Sequence, residues 1–326
     1  MASAGHGNEA HGGPPSGRVL TYSELFLDEA LTHLEHEEHA RIIGEKKSYL
    51  NSGFFWIRVF IFFGAWIFIA ERLISFSTRQ DKSKDPALSL KAYAMAPLST
   101  FVFALTLTFA SFDWVMSLMP GWYSTIFGVT IFSGSVVAIM AALIVVSLSL
   151  KNHGILGDSV NVEHYHDLGK LMFGFTCFWA YVSFSQFFLI WYASIPEETV
   201  FYHLRWSDGP WKNVGLFIVA GHFVIPFWFL MSRNIKRRIP LLQMAAAWML
   251  FMHLVEVYWL ILPNYAAARH ISAASPEALA FHWLDAACVL GVGGIFLAMV
   301  FFRMTKHPVI PVGDPRLPRA LKFENF

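Results

Sequence analysis

Seven long apolar segments constrain the fold of this chain more than any other feature of its sequence. A transmembrane helix needs about 20 consecutive, mostly apolar residues. Such segments lie at residues 54–74, 94–118, 125–150, 168–195, 214–231, 241–262 and 283–302. Backbone polar groups in lipid must be bonded internally, and strand-like alternation is absent, so we expect helices rather than a barrel. The sequence predicts an all-α integral membrane protein with a bundle of about seven transmembrane helices.

The composition supports a membrane protein and argues against a nucleic-acid binder. Apolar residues make up 56% of the chain and charged residues only 14%, whereas about a quarter of the residues in a soluble domain are charged. The formal net charge is +1, and no basic stripe interleaved with aromatic residues is present. We therefore expect lipid, and not nucleic acid, around this chain.

The sequence outside the apolar segments divides the chain into three parts. Residues 1–50 form a polar tail and a predicted amphipathic surface helix, residues 51–303 the transmembrane bundle, and residues 304–326 a cytoplasmic tail. The first 47 residues contain no apolar core of a secretory signal. His33, His36 and His39 of the surface helix are spaced for a metal site, but a solvated helix face is the favoured interpretation.

The distribution of Lys and Arg predicts the orientation of the bundle. The N-terminal segment and the loops on its side carry 7 of these residues, and the opposite loops with the C-terminus carry 16. Because positive residues concentrate in cytoplasmic loops, we expect the N-terminus outside and the C-terminus in the cytoplasm.

Ionisable residues inside apolar segments are functional candidates, because each costs about 2.5–3.5 kcal/mol to insert at the centre of a membrane helix. Arg58 lies one turn into the first segment and is expected to extend to the headgroups. Glu71 is expected to form a surface pair with Arg72. For Asp113, beside Trp114, a functional and a structural role are both open.

The sixth segment holds the most informative pair, His253 and Glu256. Their i, i+3 spacing places them on one helix face, where a carboxylate and an imidazole can share a proton. We expect this face, with Met249, to point into the bundle, and Phe251, Val255 and Leu262 to face lipid. A proton-exchanging pair is favoured over a hydrogen bond that only joins helices.

Further polar residues could join that pair in a hydrated path or a headgroup pocket. His222 lies four residues before Pro226, which frees a backbone carbonyl at membrane depth. Asp285 of the seventh segment could face the same cavity. The fourth segment adds a group of polar side chains: Tyr181, Ser183, Ser185 and Gln186.

Histidine and cysteine content limits the redox centres that this chain can hold. His222, His253 and His282 could serve as axial ligands of a b-type haem, which needs histidines at matching depths on facing helices. Their depths in the membrane match poorly, so a haem is the less favoured interpretation. Cys177 and Cys288 are the only cysteines, and CxxC and CxxCH motifs are absent. We therefore expect no metal ligands, no iron–sulfur cluster and no c-type haem on this chain.

Four strings of residues together resemble one protein family. They are FDWVMSL at 112–118, WYSTIFG at 122–128, HDLGKLMF at 166–173 and FSQFFLIWYASIPEETV at 184–200. With these strings, residues 47–302 resemble the ActF-type membrane subunit of bacterial alternative complex III, within the wider NrfD/polysulfide-reductase membrane family.

The resemblance implies a subunit of a quinol-oxidising respiratory complex in the bacterial cytoplasmic membrane. Quinol would be oxidised near the outer face, and electrons would pass to iron–sulfur clusters and c-type haems on other subunits. The implied partners are a second NrfD-like membrane subunit, a multihaem cytochrome c, an iron–sulfur subunit and a terminal oxidase. The resemblance implies a supporting role for this type of subunit, with a proton path and no cofactor of its own.

Two departures from the family pattern leave other functions open. Family members generally have ten spans, so seven predict either a shorter variant or further spans outside this sequence. Met119 stands where relatives carry an acidic residue, which weakens a proton path through that turn. A secondary transporter or channel, with Pro226 as one helix interruption, and a purely structural anchor are the alternatives.

Overall fold

The computed structural model describes residues 41–42, 44–157, 159–206, 209–268, 275–279 and 281–324. The chain divides into two units, Met1–Ser48 and Tyr49–Phe326. In the first unit, residues 41–42 and 44–46 are helical and end in a turn. The predicted tail and most of the predicted surface helix, including its three histidines, lie outside the described residues.

The second unit confirms the predicted fold class, because seven of its helices are long and apolar enough to cross a membrane and none of its described residues forms a strand. This is a multi-pass membrane protein. The long helices are α1 (Ser52–Ser83), α2 (Pro86–Trp114), α3 (Phe127–Asn152), α4 (Val162–Ala193), α6 (Pro210–Met231), α8 (Ile239–Ala268) and α9 (Trp283–Lys306). Short helices α5 (Pro196–Trp206), α7 (Arg233–Arg237) and α10 (Leu317–Leu321) connect or follow them.

Local sequence signals fix several helix ends. Asn51, Asp85 and Asn161 each accept a backbone N–H at the start of α1, α2 and α4, as side chains at N-caps do. Ser194 ends α4 in the left-handed conformation with φ of 50°. The three N-terminal caps lie before the apolar segments, so these helices begin earlier than the predicted spans, whereas Ser194 ends α4 just inside its predicted span.

The core of the bundle lies between α3, α4 and α8. Val137 and Ala141 of α3, Met172 of α4 and Met249 of α8 are completely enclosed. Leu230 brings the end of α6 into the same cluster. This four-helix arrangement is the frame on which the polar side chains described below are mounted.

Helices α1, α2 and α9 lie at the periphery and are held by ion pairs. Arg58 does not extend to the headgroups as predicted, because its Nε donates to Asp113 Oδ2 at 2.6 Å in a buried pair between α1 and α2. The predicted Glu71–Arg72 pair is also wrong, since Glu71 pairs with Arg303 of α9. Helix α9 has no buried residue, so polar contacts at its two ends are its main attachment.

Helix α6 is interrupted by a π-helical turn at Val219–Val224. In this turn the Ile225 N–H donates to the Ala220 carbonyl, five residues back. In the same register Pro226, which has no N–H, leaves the carbonyl of Gly221 free rather than that of His222. Trp248 of α8 donates its indole N–H to that carbonyl at 2.7 Å. The turn places His222 on the side of α6 that faces α8.

Candidate functional site

Glu256 of α8 is the centre of the buried polar cluster. Its side chain is only 6% exposed, and three groups surround it. Trp179 of α4 donates its indole N–H to Oε1 at 2.5 Å, and His253 Nδ1 lies 3.1 Å from Oε2. The third group, His222 of α6, places its Nδ1 3.6 Å from the same oxygen. The carboxylate thus joins residues of three helices.

The two histidines differ in their surroundings. The His222 side chain is fully enclosed, and its ring stacks on Trp179 with centroids 4.1 Å apart. Neither of its nitrogens has a hydrogen-bond partner among the residues that the structure describes. A quarter of the His253 side chain is exposed. His253 is therefore the less enclosed of the two histidines.

Gly134 of α3 allows the backbone of this helix to approach the cluster closely. A Cβ atom at Gly134 would lie 3.1 Å from Glu256 Oε2 and 3.3 Å from the His253 ring. Both contacts are tighter than ordinary van der Waals packing, so the residue at position 134 must be small. The α3 backbone thereby forms one wall of the polar cluster.

The predicted inward face of α8 is observed in part. Met249 and Glu256 are buried and Phe251 is half exposed, as the helix geometry predicts. The prediction is wrong for Val255 and Leu262, which pack against buried clusters around Trp179 and Trp211. Neighbouring helices cover more of α8 than a single stripe, because α8 lies at the centre of the bundle.

A cavity of about 570 Å3 adjoins the cluster, within the size range of small-molecule sites. Its walls come from α3, α4, α5, α6 and α8. Most of its lining is aromatic or aliphatic, and Glu256 and Trp179 form a polar spot in it. An apolar cavity with one carboxylate in its wall fits a hydrophobic ligand that carries a hydrogen-bonding end.

Gln186 of α4 provides a second polar spot in the cavity. Its Oε1 lies 3.4 Å from the Thr130 hydroxyl, and both residues line the cavity. Ser183, one turn earlier, also lines the cavity, and its buried hydroxyl has no hydrogen-bond partner in the described part of the chain. Tyr181 was predicted to join this group but is 67% exposed, because it lies on the opposite face of α4.

The two remaining candidates lie outside the cavity. Asp113 is paired with Arg58, whose guanidinium also lies 3.9 Å above the Tyr49 ring. Burial, followed by the neighbouring Asp113 carboxylate, raises the pKa of Tyr49. Asp285 accepts the His282 N–H at the start of α9 and lies 3.3 Å from the Tyr258 hydroxyl. The prediction that Asp285 faces the cavity with His222 is therefore wrong.

Several members of the site were not predicted from the sequence. Thr130 and Gly134 lie in the third apolar segment and Trp179 in the fourth, and only the fold brings them to the cavity and to Glu256. Trp179 carried a usable signal, because a buried indole N–H needs an acceptor. Among the described residues no group of three or more His, Cys, Asp or Glu side chains is arranged to hold a metal ion.

Comparison with known proteins does not assign a family. The sequence matches no protein-family model and no curated protein.

Proposed function

We propose that this chain is a membrane subunit, without redox centres of its own, of a respiratory quinol-oxidising complex of the alternative complex III type. In this proposal it lies in the bacterial cytoplasmic membrane with its N-terminus outside. Iron–sulfur clusters and c-type haems belong to its partner subunits. The four strings of residues and the absence of cysteine motifs support the assignment.

The observation that carries the proposal is the buried carboxylate of Glu256 in the wall of an apolar cavity. A quinol has a hydrophobic tail and two hydroxyl groups that must lose protons when the ring is oxidised. The apolar walls suit the ring and tail, and the two polar spots suit the hydroxyls. Glu256 accepts the two protons one after the other, as each hydroxyl in turn points to it, and Gln186 orients the oxygen at the other end of the ring.

The cluster around Glu256 supports the path that the proton takes next. Oxidation of one quinol gives one quinone, two protons and two electrons. The electrons leave to the partner subunits, and each proton in turn passes from Glu256 to His253 Nδ1 at 3.1 Å, so that Glu256 is free to accept the second one. His253, the less enclosed of the two histidines, is the next carrier of each proton. Trp179 holds the carboxylate in position through both states by its indole N–H.

Mutagenesis of Glu256 in the intact complex tests the proposal. Glu256→Gln keeps the shape of the side chain but removes the base, and loss of a general base lowers turnover by about 100-fold to 10,000-fold. Asp285→Asn is the matched control, because Asp285 lies outside the cavity. If the two variants oxidise quinol at equal rates, Glu256 only joins helices. The chain would then be a structural anchor, and the proposal would be wrong.

The predicted orientation has its own test. The α7 segment, Arg233–Arg237, carries three of the cations that place the loop in the cytoplasm. A cysteine placed at Asn234 is expected to react only with a thiol reagent applied from the cytoplasmic side. Labelling from the outer side would contradict the predicted orientation.

The interrupted helix α6 favours one second candidate, a secondary transporter. Transporters bind substrates where helices are broken near the membrane centre, and the π-helical turn beside His222 is such a break. Flux of a substrate into liposomes that contain only this chain would support a transporter, and turnover that needs partner subunits would support the complex.

A further inference from the structure

The side chains that line the cavity differ in how much of their surface is exposed. Trp179, Glu256 and Ile218 on the deep side are at most 6% exposed. On the opposite side Phe184 of α4 is 64% exposed and Leu216 of α6 is 52% exposed, although both line the cavity. Side chains that line the cavity and also face outward mark an opening in its wall.

The opening follows from the way α4 and α6 diverge. Helix α4 packs against the π-helical turn and the last part of α6, Ile225–Met231, whereas the first part, Pro210–Ile218, packs mainly on α8. The two helices therefore separate towards the end of α6 that joins α5. Leu216 and Val219 lie within a 22-residue span, six residues or more from either of its ends, so the gap faces the hydrocarbon core rather than water.

The end of the cavity nearest α5 is closed by that short helix. Phe201, Tyr202 and Trp206 of α5 line the cavity there. Trp122 stacks on the Phe201 ring with centroids 4.2 Å apart, and its indole N–H donates to the Glu198 carbonyl. Phe201 is only 5% exposed. These aromatic contacts separate the cavity from the aqueous side.

Arg205 fixes this closing helix to α8. The residue is completely enclosed, and its guanidinium donates to the Leu260 carbonyl at 2.8 Å and to the Trp259 carbonyl at 3.3 Å. Pro263 has no N–H and leaves the Trp259 carbonyl without its helical partner. Burial lowers the pKa of Arg205 to about 9, so the group is still a cation at neutral pH.

We infer that the cavity is loaded sideways from the bilayer, through the gap bordered by Phe184, Leu216 and Val219. Its occupant is a membrane-dissolved amphiphile whose chain lies in the gap and whose hydrogen-bonding end reaches Gln186 and Glu256. The identification of that end as a quinol rests on the proposed function. The lateral route rests on the exposed border and the closed α5 side alone.

Photolabelling of the full chain in nanodiscs tests the route. The probe is a phospholipid with a diazirine in its acyl chain, and labelled residues are mapped by mass spectrometry. We expect the lipid probe to label the buried wall residue Ile218 in the wild type. Leu216→Trp and Val219→Trp fill the gap, and this labelling is lost in each variant. The matched control Leu143→Trp, on the exposed face of α3, keeps it.

Two results would overturn the inference. One is labelling of Ile218 only by a water-soluble diazirine, which would place the entrance at α5. The other is equal labelling by the lipid probe in Leu216→Trp, Val219→Trp and the control. Because the probe is not a quinone, lipid labelling without quinol turnover would contradict only the proposed function.

Discussion

Two carboxylates, Asp113 and Glu256, are buried in the bundle, and the side chains that contact them are of different kinds. Asp113 is paired with Arg58, a permanent cation, in a closed contact between α1 and α2. Glu256 is held by an indole and two imidazoles, and it lines a cavity. A guanidinium has no proton to exchange near neutral pH, whereas an imidazole does. The comparison indicates a structural role for the first carboxylate and a proton-exchanging role for the second.

The largest effect on stability is expected when the Asp113 pair is broken. Asp113→Asn leaves the Arg58 cation buried without its counter-charge, and such a loss costs about 3–5 kcal/mol of the free energy of unfolding. Unfolding by denaturant in mixed micelles measures the change. The double variant Arg58→Leu/Asp113→Leu is the control, because removing both charges recovers most of the loss. A double variant as unstable as Asp113→Asn would show that the pair itself is not responsible.

Glu256→Gln is expected to have the opposite profile. The amide can still accept the Trp179 indole N–H, so the loss of stability is that of weakened hydrogen bonds, about 1–3 kcal/mol. Quinol oxidation falls far more in this variant than in Asp113→Asn after correction for folded protein. Parallel measurements of unfolding and turnover on both variants check the comparison. Equal losses of turnover would remove the distinction between the two carboxylates.

Arg205 sharpens the comparison, because it is a buried cation held by carbonyl groups. Arg205→Leu leaves the Trp259 carbonyl unsatisfied, and a buried unpaired polar group costs about 1–3 kcal/mol. We expect this loss of stability to appear as local opening of α5. The backbone amides of α5 then exchange hydrogen faster, while those of α3 are unchanged. Unchanged exchange in α5 would mean that the aromatic contacts of Trp122 alone hold this helix.

The smallest effect is expected at an exposed pair. Hydrogen bonds from Arg316 hold the pKa of Asp314 below its usual value, so the pair stabilises the fold at neutral pH. That contribution is lost as the pH falls through the lowered pKa. Arg316 is 72% exposed, so Arg316→Gln is expected to cost at most about 1 kcal/mol. Thermal unfolding at neutral and acidic pH measures this difference, and a larger loss would make Arg316 part of a buried contact.

The sequence predicted the fold well because lipid imposes simple rules. Segment length and apolar content are enough to find helices α1 to α4, α6, α8 and α9, since each must satisfy its own backbone in the membrane. The i, i+3 spacing likewise predicts the contact of His253 with Glu256. These are local properties that do not depend on how the helices pack.

The rest of the site depends on packing and could not be predicted in this way. Trp179 donates its indole N–H to Glu256, although it lies 77 positions earlier in the chain. Asp285 was expected to face the cavity as an ionisable residue of the seventh segment, but its position in the sequence does not determine which face of α9 meets the bundle. Pro226 predicted the break in α6, yet only the fold shows that Trp248 binds the carbonyl freed there. Likewise, only the fold shows that Arg205 binds the carbonyl that Pro263 frees in the continuous helix α8.

Redox-induced infrared difference spectroscopy tests the central claim, that Glu256 exchanges a proton with a ligand in the cavity, most directly. The complex is cycled between quinol and quinone, and the carboxyl C=O region is recorded in water and deuterium oxide. We predict a band that shifts on deuteration, disappears in Glu256→Gln and remains in Asp113→Asn. An unchanged carboxyl difference spectrum in Glu256→Gln would contradict the claim.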